Sequence, residues 1–149
     1  MKNKGGFIKY AAYMAAWLSM PLFCACTEQP VGYLQTDNAV YVPNHMDIRL
    51  VLDEDLDAFR IYNVAPWVSP KMQGVIGTNP ISYEIVGVES EDGDADMFRH
   101  LLVIRGGGRM EFPLVSDIPP GEYRVSVQVS NEGYTQVLNN IFTFNVKER

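Results

Sequence analysis

Cysteine and histidine are scarce in this 149-residue chain, and their scarcity excludes several kinds of site. Both cysteines, Cys24 and Cys26, lie near the N-terminus, so residues 27–149 can form no disulfide. The two histidines, His45 and His100, have no cysteine nearby to complete a zinc site and no spacing that nominates a Ser-His-Asp triad. The sequence favours no metal site and no catalytic centre, and it predicts a protein without enzymatic activity or cofactor.

Basic residues and long apolar runs are also few. Lysine and arginine total 12 against 18 acidic residues, which gives a formal charge of −6. An acidic surface repels the phosphates of nucleic acid, so nucleic acid is not an expected partner. The uncharged, mostly apolar run at residues 10–25 has 16 residues, fewer than the roughly 20 that a membrane-spanning helix needs.

The first 25 residues instead have the pattern of an export signal. Three lysines within the first nine residues precede the apolar run, and no acidic residue interrupts them. Residues 22–26 (LFCAC) resemble the lipobox of bacterial lipoproteins, in which a small residue, here Ala25, precedes a cysteine that is acylated and becomes the new N-terminus. The resemblance implies that residues 1–25 are removed and that Cys26 is lipidated. An ordinary cleaved signal, with both cysteines as bystanders, is the alternative.

The remainder has the size of one domain. Cleavage before Cys26 leaves 124 residues, and the loss of three lysines changes the formal charge from −6 to −9. That length suffices for a single hydrophobic core. Residues 26–38 contain Pro30 and Gly32 and no sustained apolar period, which indicates a tether followed by one domain at residues 39–149.

Alternation of apolar and polar residues predicts an all-β domain. Residues 123–129 alternate without exception, residues 142–146 alternate again, and Asn131-Glu132-Gly133 marks a turn between them, while Asn139-Asn140 is predicted to precede the second strand. Shorter or weaker alternation predicts strands at residues 46–52 and 60–64. Residues 95–101 predict a helical turn with Met97 and Leu101 on one side.

The entry into the first of these strands carries a resemblance. Residues 119–123 (PPGEY) resemble the tyrosine corner of immunoglobulin-like sandwiches, in which the hydroxyl of a tyrosine such as Tyr123 bonds to nearby backbone. With this segment, the signal, the tether and the final hairpin, the sequence resembles those of the small surface lipoproteins of Bacteroidota. The resemblance implies an immunoglobulin-like or cadherin-like antiparallel β-sandwich, attached to the outer membrane by its lipid. Glu28 soon after the lipidated cysteine is associated in that phylum with export to the cell surface.

The same resemblance implies a non-catalytic binding or assembly module that accompanies glycan uptake or adhesion. Its expected partners are the membrane, through the N-terminal lipid, and a glycan or another envelope protein. An accessory subunit or enzyme of glycan processing, with a site assembled on loops, is the alternative.

A Pro- and Gly-rich loop at residues 65–80 is the predicted contact surface. Exposed aromatic residues on such loops commonly stack on ligands, so Trp67, Tyr62 and Met72 are the predicted contact residues. Packing in the core is the alternative, which the large apolar area of Trp67 favours.

Five carboxylates in eight residues form a candidate calcium loop around Gly93. Calcium takes six to eight oxygen ligands from flexible loops, and the candidate ligands are Glu89, Glu91, Asp92, Asp94 and Asp96. The run lacks the spacing of an EF-hand, which favours the alternative of a solvated loop.

Overall fold

The computed structural model describes residues 32–149, so the predicted signal, Cys26 and the first part of the tether lie outside the described residues. The described chain is mostly strand, which confirms the all-β prediction. Its elements in order are β1 (Leu34–Gln35), β2 (His45–Arg49), α1 (Ala58–Asn63), β3 (Trp67–Val68), β4 (Ile76–Gly77), β5 (Ser82–Glu89), α2 (Ala95–Leu101), β6 (Val103–Arg105), a 3₁₀ turn (Gly106–Gly108), β7 (Arg109–Phe112), β8 (Gly121–Ser130) and β9 (Thr135–Lys147). Within residues 32–149, neither helix has the length and apolar content to cross a membrane.

A four-stranded sheet has the order β2-β9-β8-β5. Its centre is the predicted C-terminal hairpin, in which β8 and β9 pair antiparallel with Tyr123 opposite Phe144 and Ser130 opposite Thr135. β5 pairs antiparallel with β8, whereas β2 pairs parallel with β9. The alternating side chains of β8 explain this position, because Tyr123, Val125, Val127 and Val129 are all buried.

A three-stranded antiparallel sheet has the order β3-β7-β6, and a two-stranded sheet joins β1 to β4. Leu34 and Gln35, which the sequence pattern places in the tether, form β1 by pairing with β4. The ordered domain therefore starts before residue 39.

One hydrophobic core collects side chains from both larger sheets. At its centre the ring of Phe98, on α2, stacks between Phe112 of β7 at 4.6 Å and Tyr123 of β8 at 4.3 Å between centroids. Phe98 thus connects the two sheets through one buried aromatic column. The helical turn predicted at residues 95–101 is confirmed, and its buried residue is Phe98, whereas Met97 is exposed.

The predicted back-bond of Tyr123 is confirmed. Its hydroxyl donates to the carbonyl of Pro119 at 2.7 Å. Gly93 packs directly on this ring, since a Cβ at residue 93 would lie 2.2 Å from the Tyr123 hydroxyl. Burial raises the pKa of Tyr123 above its ordinary value.

Two elements differ from their predictions. Residues 60–64 were expected to form a strand, but Ala58–Asn63 is helical because the turn before it already has helical bonds, from Asp57 N to Asp53 O and from Ile61 N to Asp57 O. Asn139 and Asn140 do not precede the last strand but lie within it, where the β8–β9 register shifts. Asn140 takes a left-handed conformation there, and its backbone N–H donates to Ser126 Oγ at 3.0 Å.

Candidate functional site

The three predicted contact residues do not form one surface. Trp67 is 3% exposed and Met72 is also buried, whereas Tyr62 is 88% exposed. Trp67 lies on β3, opposite Phe112 of β7, and both Trp67 and Met72 belong to the core. The predicted loop platform is therefore corrected: the apolar area of Trp67 and Met72 packs inward, and of the three only Tyr62 can meet a partner.

The buried Trp67 ring has two arginines over it. The guanidinium carbon of Arg60, on α1, lies 4.2 Å from the ring centroid, and that of Arg49, on β2, lies 5.5 Å from it. Cations over the face of an indole are attracted by its quadrupole, most strongly where water is excluded. The indole Nε1 has no hydrogen-bond partner among the described residues, so the stack with Arg60 is the polar contact that this side chain makes.

Asp57 connects the start of α1 to the sheet. Its side chain is buried, and the carboxylate accepts from Arg49 Nε at 2.9 Å, from Arg49 Nη2 at 2.5 Å and from the backbone N–H of Asp53 at 3.1 Å. The hydrogen bonds from Arg49 hold the pKa of Asp57 below its ordinary value. Asp57 occupies the N-cap position of α1, yet it makes no side-chain bond to the helix, because its oxygens bind Arg49 and the turn before the helix.

α1 is consequently attached by polar groups and leaves its apolar side chains outside. None of its residues is buried. Four large apolar side chains in or beside the helix are about three-quarters exposed or more: Leu56 (73%), Phe59 (74%), Tyr62 (88%) and Val64 (75%). We name these four residues the α1 face.

The spacing of the α1 face places its side chains next to each other. Phe59 and Tyr62 lie three residues apart on α1, where such residues are neighbours on the helix surface. Leu56 lies three residues before Phe59, in the turn that leads into the helix. Val64 ends the helix in a left-handed conformation. Isolated helices shorter than about 12 residues are marginal in water, so the six residues of α1 depend on the attachment through Arg60 and Asp57.

Acidic residues border the α1 face on its N-terminal side. The carboxylate of Asp53 accepts from the backbone N–H groups of Asp55 and Leu56, each at 2.9 Å, and these bonds hold its pKa below the ordinary value. Glu54 and Asp55 are exposed beside it. The turn therefore presents negative charge in a fixed conformation directly before Leu56.

Three of the five candidate calcium ligands have separate partners. Glu89 accepts from Asn140 Nδ2 at 3.1 Å, Glu91 pairs with Arg124 at 3.2 Å, and Asp94 accepts from the backbone N–H of Met97 at 2.8 Å. Within residues 32–149, no three His, Cys, Asp or Glu side chains are grouped as metal ligands would be. Gly93, between them, is explained by its close approach to Tyr123.

A cleft of about 270 Å³ lies beside this acidic loop. Its lining residues are Glu91, Asp92, Glu122 and Arg124. The guanidinium of Arg124 is 3.2 Å from Glu91 and 3.8 Å from Glu122, so a protein cation already occupies the position between the carboxylates. The cleft is polar and has no apolar floor on which a ligand could pack.

The histidines have local partners. His45 Nδ1 contacts the side-chain oxygen of Asn44 at 3.3 Å, and His100 Nδ1 contacts the carbonyl of Asp96 at 2.7 Å. In the part of the chain that the structure describes, neither imidazole hydrogen-bonds to a carboxylate or a hydroxyl.

The edges of the four-stranded sheet are less suited to a partner than the α1 face. At the β5 edge, Arg99 donates to the carbonyl of Ile85 at 2.5 Å. At the β2 edge, Asp47 pairs with Lys147 at 2.6 Å and Arg49 pairs with Asp57. Charged residues along an edge strand oppose the addition of another strand.

Comparisons with known proteins identify no relative: no family model, no curated protein and no solved structure matches the chain. The α1 face is not evident from the sequence, because its four apolar residues give no alternation and the first of them lies within an acidic turn. The exposed fractions and the polar attachment of α1 are what distinguish it.

Proposed function

We propose that the protein is a non-catalytic envelope lipoprotein that acts as a binding or assembly module, and that the α1 face is its contact surface. The observation that carries the proposal is the outward position of Leu56, Phe59, Tyr62 and Val64, which lie in or beside a helix with no buried residue. Contiguous exposed apolar groups on a soluble domain mark interaction sites, because leaving them in water is unfavourable.

The proposal includes an immunoglobulin-like sandwich as the scaffold. The order β3-β7-β6 corresponds to strands B, E and D of that architecture, and β9-β8-β5 corresponds to G, F and C. Tyr123 near the start of β8 then has the position and the hydrogen bond of a tyrosine corner. In this assignment β2 corresponds to strand A, the first strand of the architecture, and it pairs with strand G.

The proposal also includes anchoring through Cys26 to the outer membrane, with exposure at the cell surface. The support is the LFCAC sequence after an apolar run and the absence of any other cysteine that the anchored chain would carry. Metabolic labelling with an alkyne fatty acid tests it. We expect Cys26→Ser to abolish the label and Cys24→Ser to retain it, and the reverse result would place the modification at Cys24.

Photo-crosslinking in the native envelope tests the contact surface. p-Benzoylphenylalanine would be incorporated at position 62 and, as a matched control, at position 115, because Val115 is also about three-quarters exposed but lies outside the α1 face. We expect a discrete adduct from position 62 that Leu56→Ser/Phe59→Ser abolishes, and none from position 115. Equal labelling from both positions, or none from position 62, would contradict the assignment of the contact surface.

A further inference from the structure

We infer that the occupant of the α1 face is a polypeptide that inserts apolar side chains flanked by lysine or arginine. The inference rests on the proposed function, since it names the chemistry of the partner for the same surface. Three features of the described residues carry it: the acidic border of the face, the position of its single cation, and its distance from the end of the domain where the chain enters.

The turn directly before the α1 face carries negative charge. Asp53, Glu54 and Asp55 precede Leu56 directly, and the hydrogen bonds of Asp53 keep that carboxylate ionised. Arg60 is the one cation in residues 51–64, and its guanidinium lies over Trp67 inside the domain instead of among these acids. Arg49 lies below this turn, where it pairs with the buried carboxylate of Asp57. The exposed carboxylates of Glu54 and Asp55, which form no ion pair within residues 32–149, are therefore the groups that cations beside a partner's apolar anchors would meet.

A lipid surface fits this arrangement poorly. The side-chain amide of Asn131, in the β8–β9 turn, donates to the carbonyl of Tyr33 at 2.8 Å, so the chain enters the domain at that turn. α1 is tied to Arg49, which lies opposite Lys147 near the other end of the hairpin. β8 alone spans about 30 Å between these ends, whereas six residues from Cys26 to Gly32 reach at most about 20 Å. An upright domain anchored at Cys26 would therefore hold the α1 face away from the bilayer, and its acids would be repelled by anionic headgroups.

A second copy and a glycan also fit less well. Two copies joined through their α1 faces would bring two acidic borders together, in a chain whose predicted mature charge is −9. A neutral sugar carries no charge to pair with the carboxylates of the acidic border, and the amide of Asn63 already donates to the carbonyl of Phe59 at 2.7 Å. A peptide with aliphatic anchors matches Leu56 and Val64 as well as the two rings.

Two model peptides test the inference without knowledge of the natural partner. Both are amphipathic helices with the same leucines, one with lysine and the other with glutamate at every polar position. Binding would be measured by fluorescence anisotropy to the lipidated chain in phosphatidylcholine nanodiscs, with empty nanodiscs subtracted. We expect the lysine peptide to bind at least about tenfold more tightly than the glutamate peptide. Equal affinity for the two peptides would overturn the inference.

Matched variants show whether the α1 face is the binding site. Phe59→Ser/Tyr62→Ser should lower the affinity for the lysine peptide by about tenfold or more, since aromatic anchors dominate such contacts. Glu54→Gln/Asp55→Asn should lower this affinity about threefold to tenfold and reduce the salt dependence of binding. Glu91→Gln/Asp92→Asn makes the same change of charge at the acidic loop and should leave the affinity unchanged.

The failure of the inference can be told apart from failure of the proposed function. If the two acidic-residue variants weaken binding equally, binding of the lysine peptide depends on the net charge of the chain, and the inference is wrong. The crosslink from position 62 can still form in that case, and the contact surface would stand with a different partner. An adduct from position 62 to lipid or to a second copy of the chain would likewise overturn the inference.

Discussion

The two helices of this domain both begin after an aspartate, and the two aspartates have different partners. Asp94 accepts from the backbone N–H of Met97 and caps α2, whereas Asp57 turns its carboxylate to Arg49 and leaves α1 without a side-chain cap. α2 buries Phe98 completely between the sheets, whereas α1 buries none of its residues. One helix fills the core, and the other is held onto the surface with its apolar side chains exposed.

The polar attachment of α1 determines which way this helix faces. Arg60 over Trp67 and Arg49 on Asp57 occupy the inner side of α1. The apolar residues of α1 are therefore left on the outside, although hydrophobic burial would favour the opposite orientation. A partner that covers these residues would recover the hydrophobic free energy that folding leaves unused.

The largest expected effect comes from truncating the same residue type on each helix. Phe98→Ala should lower the free energy of unfolding by about 3 to 5 kcal/mol, because it removes a fully buried ring and leaves a cavity between two others. Phe59→Ala should change it by less than about 0.5 kcal/mol, because that ring is already in water. Urea titration of both variants measures the difference. A large loss from Phe59→Ala would mean that the ring packs against the domain and that the α1 face is part of the fold.

A smaller, pH-dependent effect should come from the attachment of α1. Asp57→Asn should cost about 2 kcal/mol near pH 6, since hydrogen bonds to a charged group are lost. The pKa of Asp57 is lowered in the folded state, so its contribution is present above the ordinary value of about 3.9 and is lost as the pH falls below it. The difference between wild type and variant should therefore shrink between pH 6 and pH 3.

Urea titrations at several pH values measure this, and Asp47→Asn is the control. Asp47 also has a lowered pKa, because Lys147 and Asn145 hydrogen-bond to it, but it is exposed and its hydrogen bonds go to β9 instead of α1. Its removal should cost less than about 1 kcal/mol. A pH-independent cost for Asp57→Asn would show that the carboxylate charge does not hold α1 in place.

Regular alternation made the C-terminal half predictable from sequence. Residues 123–129 alternate because one side of β8 faces the core along its whole length, and Tyr123 could be assigned its back-bond from its place after Pro-Gly. α1 could not be predicted in this way. Its conformation depends on contacts from Arg60 to Trp67 and from Asp57 to Arg49, which join separate elements, and the interval of three from Leu56 to Tyr62 is too short a pattern to indicate a helix.

Trp67 shows the same limit at the level of the site. Its surroundings of proline and glycine are typical of a loop, but two residues of pairing with β7 are enough to bury it. Conversely, the acidic segment before α1 has the composition of a solvated turn. This composition does not indicate that Leu56 and the nearby Phe59 belong to an exposed apolar surface. Burial of short elements is decided by tertiary contacts, which local composition does not encode.

The smallest expected effect concerns calcium and the cap of α2. A calcium ion bound by Glu89, Glu91, Asp92, Asp94 and Asp96 would draw Asp94 from Met97 N and Glu91 from Arg124, so it would compete with bonds that the folded chain already has. We expect 10 mM calcium, against a chelator, to leave the melting temperature unchanged. A site of millimolar affinity would instead stabilise the fold by about 1.4 kcal/mol and raise the melting temperature by a few degrees.

Asp94→Ala supplies the scale for this measurement, because losing an N-cap should cost about 1 kcal/mol. If calcium raises the melting temperature of the wild type and Asp94→Ala abolishes the rise, Asp94 is a ligand, and the contrast between a capped α2 and an uncapped α1 would hold only without the ion.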